Sequence, residues 1–510
     1  MTHTISNIKR LNLAVTLMLL LSQLSLYAQT GIEVPELAQV DLTVQAFIET
    51  WEVPGLSVGV VKDGRLIYAR AFGYANIDNS ELVLPEHLFR IASISKTVTA
   101  IAVLKMVDDG ILNVEDHVFG PDGILNDTIY SNYQDSRVLD ITVEHLLKHL
   151  GGWNRDVSGD PMFQSLYIAS IMGVDPPPSP ETIIQYVLNR DLDFNPGTQY
   201  AYSNFGYCIL GRVLEELSGL SYEEYVQSNI LEPLGITDMQ VGRNLYEERA
   251  DMEVYHYDYP QANLSYSVYG TGELVQTPYG GYDIEAMDSH GGWIASPTDL
   301  LRLLIAVDGI LATPDILSPN TIEMMVTPSS ANPNYAMGWA VHSNGTWWHS
   351  GSLPGTSSIM VKRYDGVDWV VLVNFRPQNW GVFDVALDNL MWDALSGIAV
   401  WPEHNLFVPV SVETTFDPTS FQLLQNFPNP FNPTTTIRYG IPEDSNVSLV
   451  IYDVRGQVVQ TVASEQQSAG WYDFVWNGQT ADGKTISTGI YFARLVAGEY
   501  SQVIKMLYLK

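Results

Sequence analysis

The sequence predicts an α/β (α+β) protein: one antiparallel sheet built from distant segments, flanked by helices and carrying a helical lobe, then a small β-sandwich. Three observations lead there. β-rich runs joined by Asp-Gly turns stand at both ends of residues 29–402. A stretch of helical periodicity, from about 91 to 300, separates them. From about 421, short alternating runs succeed one another with no helical pattern between them.

The first element is a helix over 40–51, apolar at Val44, Phe47, Ile48 and Trp51. Residues 57–61 and 66–72 form a hairpin, with Lys62-Asp63-Gly64-Arg65 as its turn. Ser93-Ile94-Ser95-Lys96 then opens a run (Val98, Ile101, Ala102, Val103, Leu104, Met106, Val107) apolar nearly all round, the mark of a buried helix. Further helices are expected over 142–148, 180–188, 206–217, 221–230 and 298–307, the last capped by Thr298 and Asp299. Strands return over 337–342, 346–349, 357–364 and 368–374, with Asp365-Gly366 as a turn. A helix over 382–395 precedes Trp401-Pro402. Residues 403–420 are expected to be a linker, and 421–510 the sandwich, with runs at 434–439, 447–452, 457–462, 470–476, 489–495 and 502–509. Its turns are Asp453 to Gly456, Asp482-Gly483 and Ala497-Gly498.

The formal charge of −33 repels nucleic acid and anionic membranes, so neither is an expected partner. Residues 1–28 have the form of a signal peptide: Lys9 and Arg10, an apolar stretch from Leu11 to Leu26, and Leu26-Tyr27-Ala28 as cleavage site. The alternative is an uncleaved anchor helix, against which stand the short core and its interruption by Ser22, Gln23 and Ser25. No other stretch is long and apolar enough to span a bilayer, so the mature chain is expected to be secreted or surface-held. Cys208 is the only cysteine, which leaves no internal disulfide, and its apolar neighbours Ile209 and Leu210 suit a core residue.

Positions i and i+3 of a helix share a face, so the Ser93 hydroxyl and the Lys96 amine stand side by side. A hydroxyl needs a neighbouring base to become a nucleophile, and a lysine serves when burial lowers its pKa. At a helix N-terminus an oxyanion is stabilised as well. The plain alternative is an N-cap serine beside a snorkelling lysine. Tyr202-Ser203-Asn204 follows the Pro196-Gly197 turn; its phenol suits proton shuttling, and Asn204 suits holding a substrate amide. His349-Ser350-Gly351-Ser352 lies on an expected strand, where Gly351 lets a substrate backbone approach and His349 orients the reacting group. Structural roles for Tyr202 and His349 are the alternatives. Gly55-Leu56-Ser57-Val58-Gly59 matches a nucleophile elbow, but Ser57 lies inside a β-rich run and the strand–turn–helix context fails. His145 and His149 are spaced for one helix face, yet no glutamate lies between them and no third ligand is evident. No metal and no cofactor are expected. Trp153, Tyr279, Tyr282 and Trp293 suit either a substrate pocket or the seam between lobes.

Ser93-x-x-Lys96, Tyr202-x-Asn204 and His349-x-Gly351, in this order, resemble the penicillin-recognising serine hydrolases, in the branch of class C β-lactamases, DD-peptidases and esterase-like relatives. The resemblance spans about 35 to 400 and includes Leu146-Leu147-Lys148-His149, Asn195-Pro196-Gly197 and Gly291-Gly292-Trp293. It implies a β-lactamase-like fold, Ser93 as acylated nucleophile, and Lys96 and Tyr202 sharing the proton transfers, with the choice of acylating base left open. It further implies an oxyanion hole from the backbone N–H groups of Ser93 and Ser352. The third motif begins with His349 where many β-lactamases have lysine, which favours ester or peptide substrates over lactams. The function implied is acyl-enzyme hydrolysis of a small-molecule or peptide ester or amide. DD-peptidase or D-amino-acid peptidase action is the alternative, and a noncatalytic penicillin-binding sensor the second. Phe427-Pro428-Asn429-Pro430-Phe431-Asn432-Pro433, Tyr452-Asp453-Val454-Arg455-Gly456 and Ser487-Thr488-Gly489-Ile490-Tyr491-Phe492 resemble the sorting domain of type IX secretion, an Ig-like sandwich. That resemblance implies secretion machinery as a partner and passage across an outer membrane. A carbohydrate- or adhesin-type sandwich would have the same fold.

Overall fold

The computed structural model describes residues 28–259, 262, 264–310, 314–407, 421–423, 426, 431, 433–480, 483–498 and 500–508. The expected signal peptide (except Ala28), residues 408–420 of the expected linker, 427–430 and 432 of the Pro-rich motif, and Asp482 lie outside the described residues. The chain divides into two units, Met1–Val408 and Pro409–Lys510.

The first unit is organised around one antiparallel sheet. Its strands are β1 (Gln29–Gly31), β2 (Gly55–Lys62), β3 (Arg65–Asn76), β4 (Ala340–Val341), β5 (Trp347–Leu353), β6 (Thr356–Lys362) and β7 (Val367–Val373), in the spatial order β1-β3-β2-β7-β6-β5-β4, with Glu81–Leu82 paired onto β3. The N- and C-terminal thirds therefore meet at β2–β7, where Val58 faces Val371 and Val60 faces Trp369. The hairpin turn falls on Asp63 and Gly64, with φ of 50° and 76°; a two-residue turn of that hand follows the twist of the flanking strands.

Strands covered on both faces are apolar at successive positions rather than alternate ones. In β7, Trp369, Val371 and Val373 pack against helices α1 (Ala38–Trp51) and, at the far end of the unit, Trp380–Ala394, while Val370 and Leu372 enter the opposite core. That opposite core is built on α2 (Ser95–Asp108), α3 (Asn204–Ser218) and α4 (Pro297–Ile305); Trp380–Ala394 is α5. Helix α2 is buried at every position from Ser95 to Leu104, as an all-round apolar pattern requires.

Several elements depart from expectation. Helix α4 is capped by Ser296, whose hydroxyl accepts from the Asp299 N–H while the Asp299 carboxylate accepts from the Ser296 N–H; Thr298 and Asp299 lie inside the helix. The expected strand over 337–342 shrinks to β4, because Gly338 adopts φ 82° and Met337 and Trp339 turn into the core. The helix expected over 221–230 is α-helical from Tyr222 to Val226 and continues as a π turn, Gln227–Leu231. Residues 403–407, assigned to the linker, are tied to this unit: the Arg65 guanidinium donates to Glu403 O (2.6 Å), the Leu406 N–H to Leu66 O (2.7 Å), and Phe407 is buried.

The second unit is a sandwich. One sheet orders Gln422–Leu423, Thr435–Ile441 and Gly470–Trp476; the other orders Val458–Gln467, Ser445–Asp453, Gly489–Ala497 and Tyr500–Tyr508. Alternate residues (Ile437, Leu449, Ile451, Leu495, Met506) meet inside with Trp476. Phe431 packs on Trp476 and Tyr508 at 5.3 and 5.1 Å.

Candidate active site

The segment leading into α2 is held from three sides. Arg90, fully buried, sets its guanidinium 3.4 Å from the Glu253 carboxylate and donates to Pro278 O, Tyr282 Oη and Arg243 O. Its own carbonyl accepts from the Thr356 hydroxyl (2.7 Å), and the Ile91 carbonyl from Ser358 (2.9 Å), so β6 hooks onto consecutive residues. The Ile91 N–H donates to Trp293 O. Ala92 then takes φ 47°, a left-handed conformation that a side chain tolerates only when its surroundings enforce it. Ser93 follows in a 3₁₀ turn, Ala92–Ile94, one turn before α2 proper rather than within it.

Lys96 is 0% exposed. Its Nζ lies 3.3 Å from Ser93 Oγ and donates to His290 O at 2.7 Å. It also stands 4.9 Å from the centre of the Tyr202 ring and 5.8 Å from that of Tyr207. Burial, with help from Arg155 and against the pull of Asp160, holds this amine well below the ordinary lysine range. The Tyr202 phenol shares a hydrogen bond with the Ser93 side chain; burial raises it above the ordinary tyrosine range, opposed by that bond and by Arg155. One hydroxyl, one amine and one phenol thus meet across α2 and the lead-in to α3.

Ser203 caps α3 by accepting from the Gly206 N–H, which places Asn204 on its first turn. Asn204 Nδ2 donates to Asp160 Oδ2 at 2.6 Å, and both line a cleft with Trp153, Arg155, Arg190 and Phe205. On β5, His349 donates from Nδ1 to Ser350 O (2.7 Å) and takes Tyr335 Oη at Nε2 (3.2 Å). Burial, with Lys96 acting in the same direction, lowers its pKa to about 3, so it is a neutral imidazole. Gly351 presses on the Ser93 turn so closely that a Cβ there would stand 2.3 Å from Ile91 O. β4 pairs only with Trp347 and Trp348, so among the described residues Ser350 to Ser352 have no strand partner on that edge, beside the Ser93 turn.

The sequence reading did not assign to the site His149, Tyr335, Arg155 or Asp160. His149 accepts the Ser203 N–H at Nδ1 (3.1 Å) and gives its Nε2 proton to Tyr335 Oη (3.1 Å), which in turn reaches His349. Its ring lies 4.3 Å from that of Tyr202. Its partner in sequence, His145, instead closes a capping box with Thr142. Arg155 stacks on the outer side of Tyr202 at 4.9 Å. Of the aromatic candidates, Trp153 lines the cleft, Tyr282 and Tyr279 serve Arg90 and the His256 N–H, and Trp293 is wholly buried against Tyr222. Ser57 lies inside β2 and Cys208 inside α3, both at 0% exposure. Among the described residues no group of three His, Cys, Asp or Glu side chains gathers where a metal ion would be held, and no helix is long and apolar enough to cross a membrane.

A sheet joining the chain's two ends, a helical lobe over it and a buried Ser–Lys–Tyr cluster at their meeting define the class of β-lactamase-like serine hydrolases. The Beta-lactamase family matches residues 40–389, and the chain belongs to it. The FlgD Ig-like domain family matches residues 432–500. Penicillin-binding protein 4* of Bacillus subtilis is 28% identical over 61% of this chain and 65% of its own length. Protein flp of Staphylococcus aureus is 24% identical over 67% and 63%. The chain thus spans just under two thirds of these relatives. In fold it is similar to the D-amino acid amidase of Ochrobactrum anthropi (19% identity, TM-score 0.55, 71% of this chain and 98% of that one). It is also similar to the octameric penicillin-binding protein homologue of Pyrococcus abyssi (20%, 0.52, 92% and 99%) and to EstCE1, a hydrolase with acyltransferase activity (20%, 0.53, 70% and 98%).

Proposed function

We propose that the chain is a secreted serine hydrolase that acts on a small-molecule or peptide ester or amide through an acyl-enzyme on Ser93. The observation that carries this is Lys96 Nζ at 3.3 Å from Ser93 Oγ, in a setting that favours the neutral amine. A neutral amine has one lone pair and two hydrogens: the hydrogens satisfy His290 O, and the lone pair takes the Ser93 proton. Lys96 is then the acylating base. Ser93 Oγ bonds to the substrate carbonyl carbon, and its proton passes to Lys96. Tyr202, held as the phenol, relays a proton to the departing oxygen or nitrogen as the carbonyl re-forms. Water then attacks the ester, gives its proton to the same pair, and Ser93 leaves as the hydroxyl. The Ser93 and Ser352 N–H groups would hold the oxyanion.

His349, neutral and engaged with Tyr335, offers no fixed cation to a lactam carboxylate, which favours esters and amides. Asp160 supports a second reading, a D-amino-acid amidase or peptidase, because its carboxylate stands in the cleft beside Asn204 where a substrate ammonium would sit. The C-terminal sandwich is proposed to act as a type IX sorting domain recognised by secretion machinery, supported by its Ig-like topology and the turn at Asp453 to Gly456.

A fluorophosphonate label tests the scheme. The adduct should map to the Ser93 peptide and vanish in Ser93→Ala; an adduct that persists there overturns it. Parallel turnover of a p-nitrophenyl ester, nitrocefin, a D-Ala-D-Ala peptide and a D-amino acid amide separates the substrate classes.

A further inference from the structure

Strand β5 presents alternate side chains to opposite faces of the sheet. His349 faces Ser93, and its neighbour Trp348 faces the back, where α5 packs. A cavity of about 250 Å³ opens there, lined by Trp348, Trp392, Val361, Asp388, His342 and Asn344, with Thr346 at its edge. The sheet separates it from the nucleophile, and no step of the proposed reaction uses it.

Its polar groups are unspent. Asn344 Oδ1 accepts from the Thr346 N–H, and Nδ2 has no partner among the described residues. His342 accepts the Asn344 N–H at Nδ1, so its proton sits on Nε2, likewise without a partner among the described residues. Among the described residues no hydrogen bond or charge acts on the Asp388 carboxylate, and partial burial raises its pKa. Two free donors and a free carboxylate thus surround two indoles.

That combination selects among ligands. A lipid chain would bury the carboxylate, amide and imidazole unsatisfied, at a cost of about 1–3 kcal/mol each. An anion meets Asp388. A cation would meet the positive charge of Arg363, which stands over Trp392 at 5.6 Å, and would leave the two donors of the rim without acceptors. A neutral sugar has hydroxyls that both donate and accept and a C–H face that lies flat on indole. The volume stands near the lower limit of small-molecule pockets. We propose that this back-face cavity is a saccharide-binding site.

The test is titration of the full chain with a panel of neutral oligosaccharides of glucose, N-acetylglucosamine, mannose and galactose, followed by tryptophan fluorescence and calorimetry. One sugar class should saturate the signal, and Trp392→Ala and Asp388→Ala should each weaken it tenfold or more with p-nitrophenyl ester turnover unchanged. Asp388 is exposed, so its variant carries the test if Trp392→Ala fails to fold. No saturation across the panel, unchanged affinity in Asp388→Ala, or full displacement of the sugar by tetramethylammonium overturns the proposal. Binding is read without turnover, so the sugar site and the hydrolase reading fail independently.

Discussion

Gly351→Ala is the sharpest probe of how β5 and the Ser93 turn fit together. The added Cβ would stand 2.3 Å from Ile91 O, 2.5 Å from Ser358 Oγ and 3.0 Å from Ala92 Cβ. A side chain can swing aside, but Ile91 O is backbone and is already bound by the Ser358 hydroxyl. Relief therefore requires β5 and the turn to separate by about 1 Å before the contact is tolerable. Overpacking of this kind costs about 1–3 kcal/mol, and a displacement of about 1 Å in a reacting geometry costs about 10²-fold in rate. The assay is the rate of Ser93 labelling by fluorophosphonate, read by intact mass, alongside urea unfolding. Gly381→Ala is the control, since nothing lies within 4 Å of its added Cβ. Labelling within twofold of the parent in Gly351→Ala, with the fold intact, refutes the reasoning.

Charge around Lys96 gives two opposed shifts. Arg155 lowers its pKa and Asp160 raises it, so Arg155→Gln should move the acid limb of the labelling rate to higher pH and Asp160→Asn to lower pH; parallel shifts would refute the assignment of Lys96 as base. Asp368, 1% exposed, has its pKa raised to about 7 by burial, against the pull of Lys362. The folded state then holds a proton that the unfolded chain has lost above about pH 4, so stability should fall as pH rises to 7, by at most about 4 kcal/mol. Asp368→Asn should flatten that slope in urea melts at pH 5 and 8. Glu253→Gln leaves the buried Arg90 charge without its partner and should cost about 3–5 kcal/mol by the same measurement. Tyr335→Phe cuts the link between His149 and His349, leaves two buried imidazole nitrogens unpartnered, and should lower the labelling rate while costing about 1–3 kcal/mol in the same melts.

The sheet was legible because its signals are local. Asp63-Gly64 and Asp365-Gly366 mark turns wherever they fall, and runs such as Val370 to Val373 have no other use for so many branched residues. The order of the strands was legible only in outline, since nothing local in 55–62 announces a partner some three hundred residues away. Ser93, Lys96 and Tyr202 stood out through their spacing. His149 stood out only for its spacing from His145, as a metal pair without a third ligand; its place in the site was hidden because it enters through a left-handed backbone (φ 59°) just after a short helix, which has no composition signal. Tyr335 lies on a stretch without periodicity, one of many tyrosines, and only the folded chain sets it between two imidazoles. Residues 337–342 misled for the opposite reason: a buried loop needs apolar residues as much as a strand does.

The pairing of β2 with β7 also dictates timing. Strand β2, the first of the hairpin with β3, has one neighbour nearby in sequence, but its other neighbour is made only when residues 367–373 have emerged. Closing a loop of that length is slow, and until it closes the two apolar faces of β2 have no lasting cover. The first unit therefore cannot mature piecemeal during synthesis. It waits, open and in need of protection from aggregation, until nearly all of its own polypeptide is available.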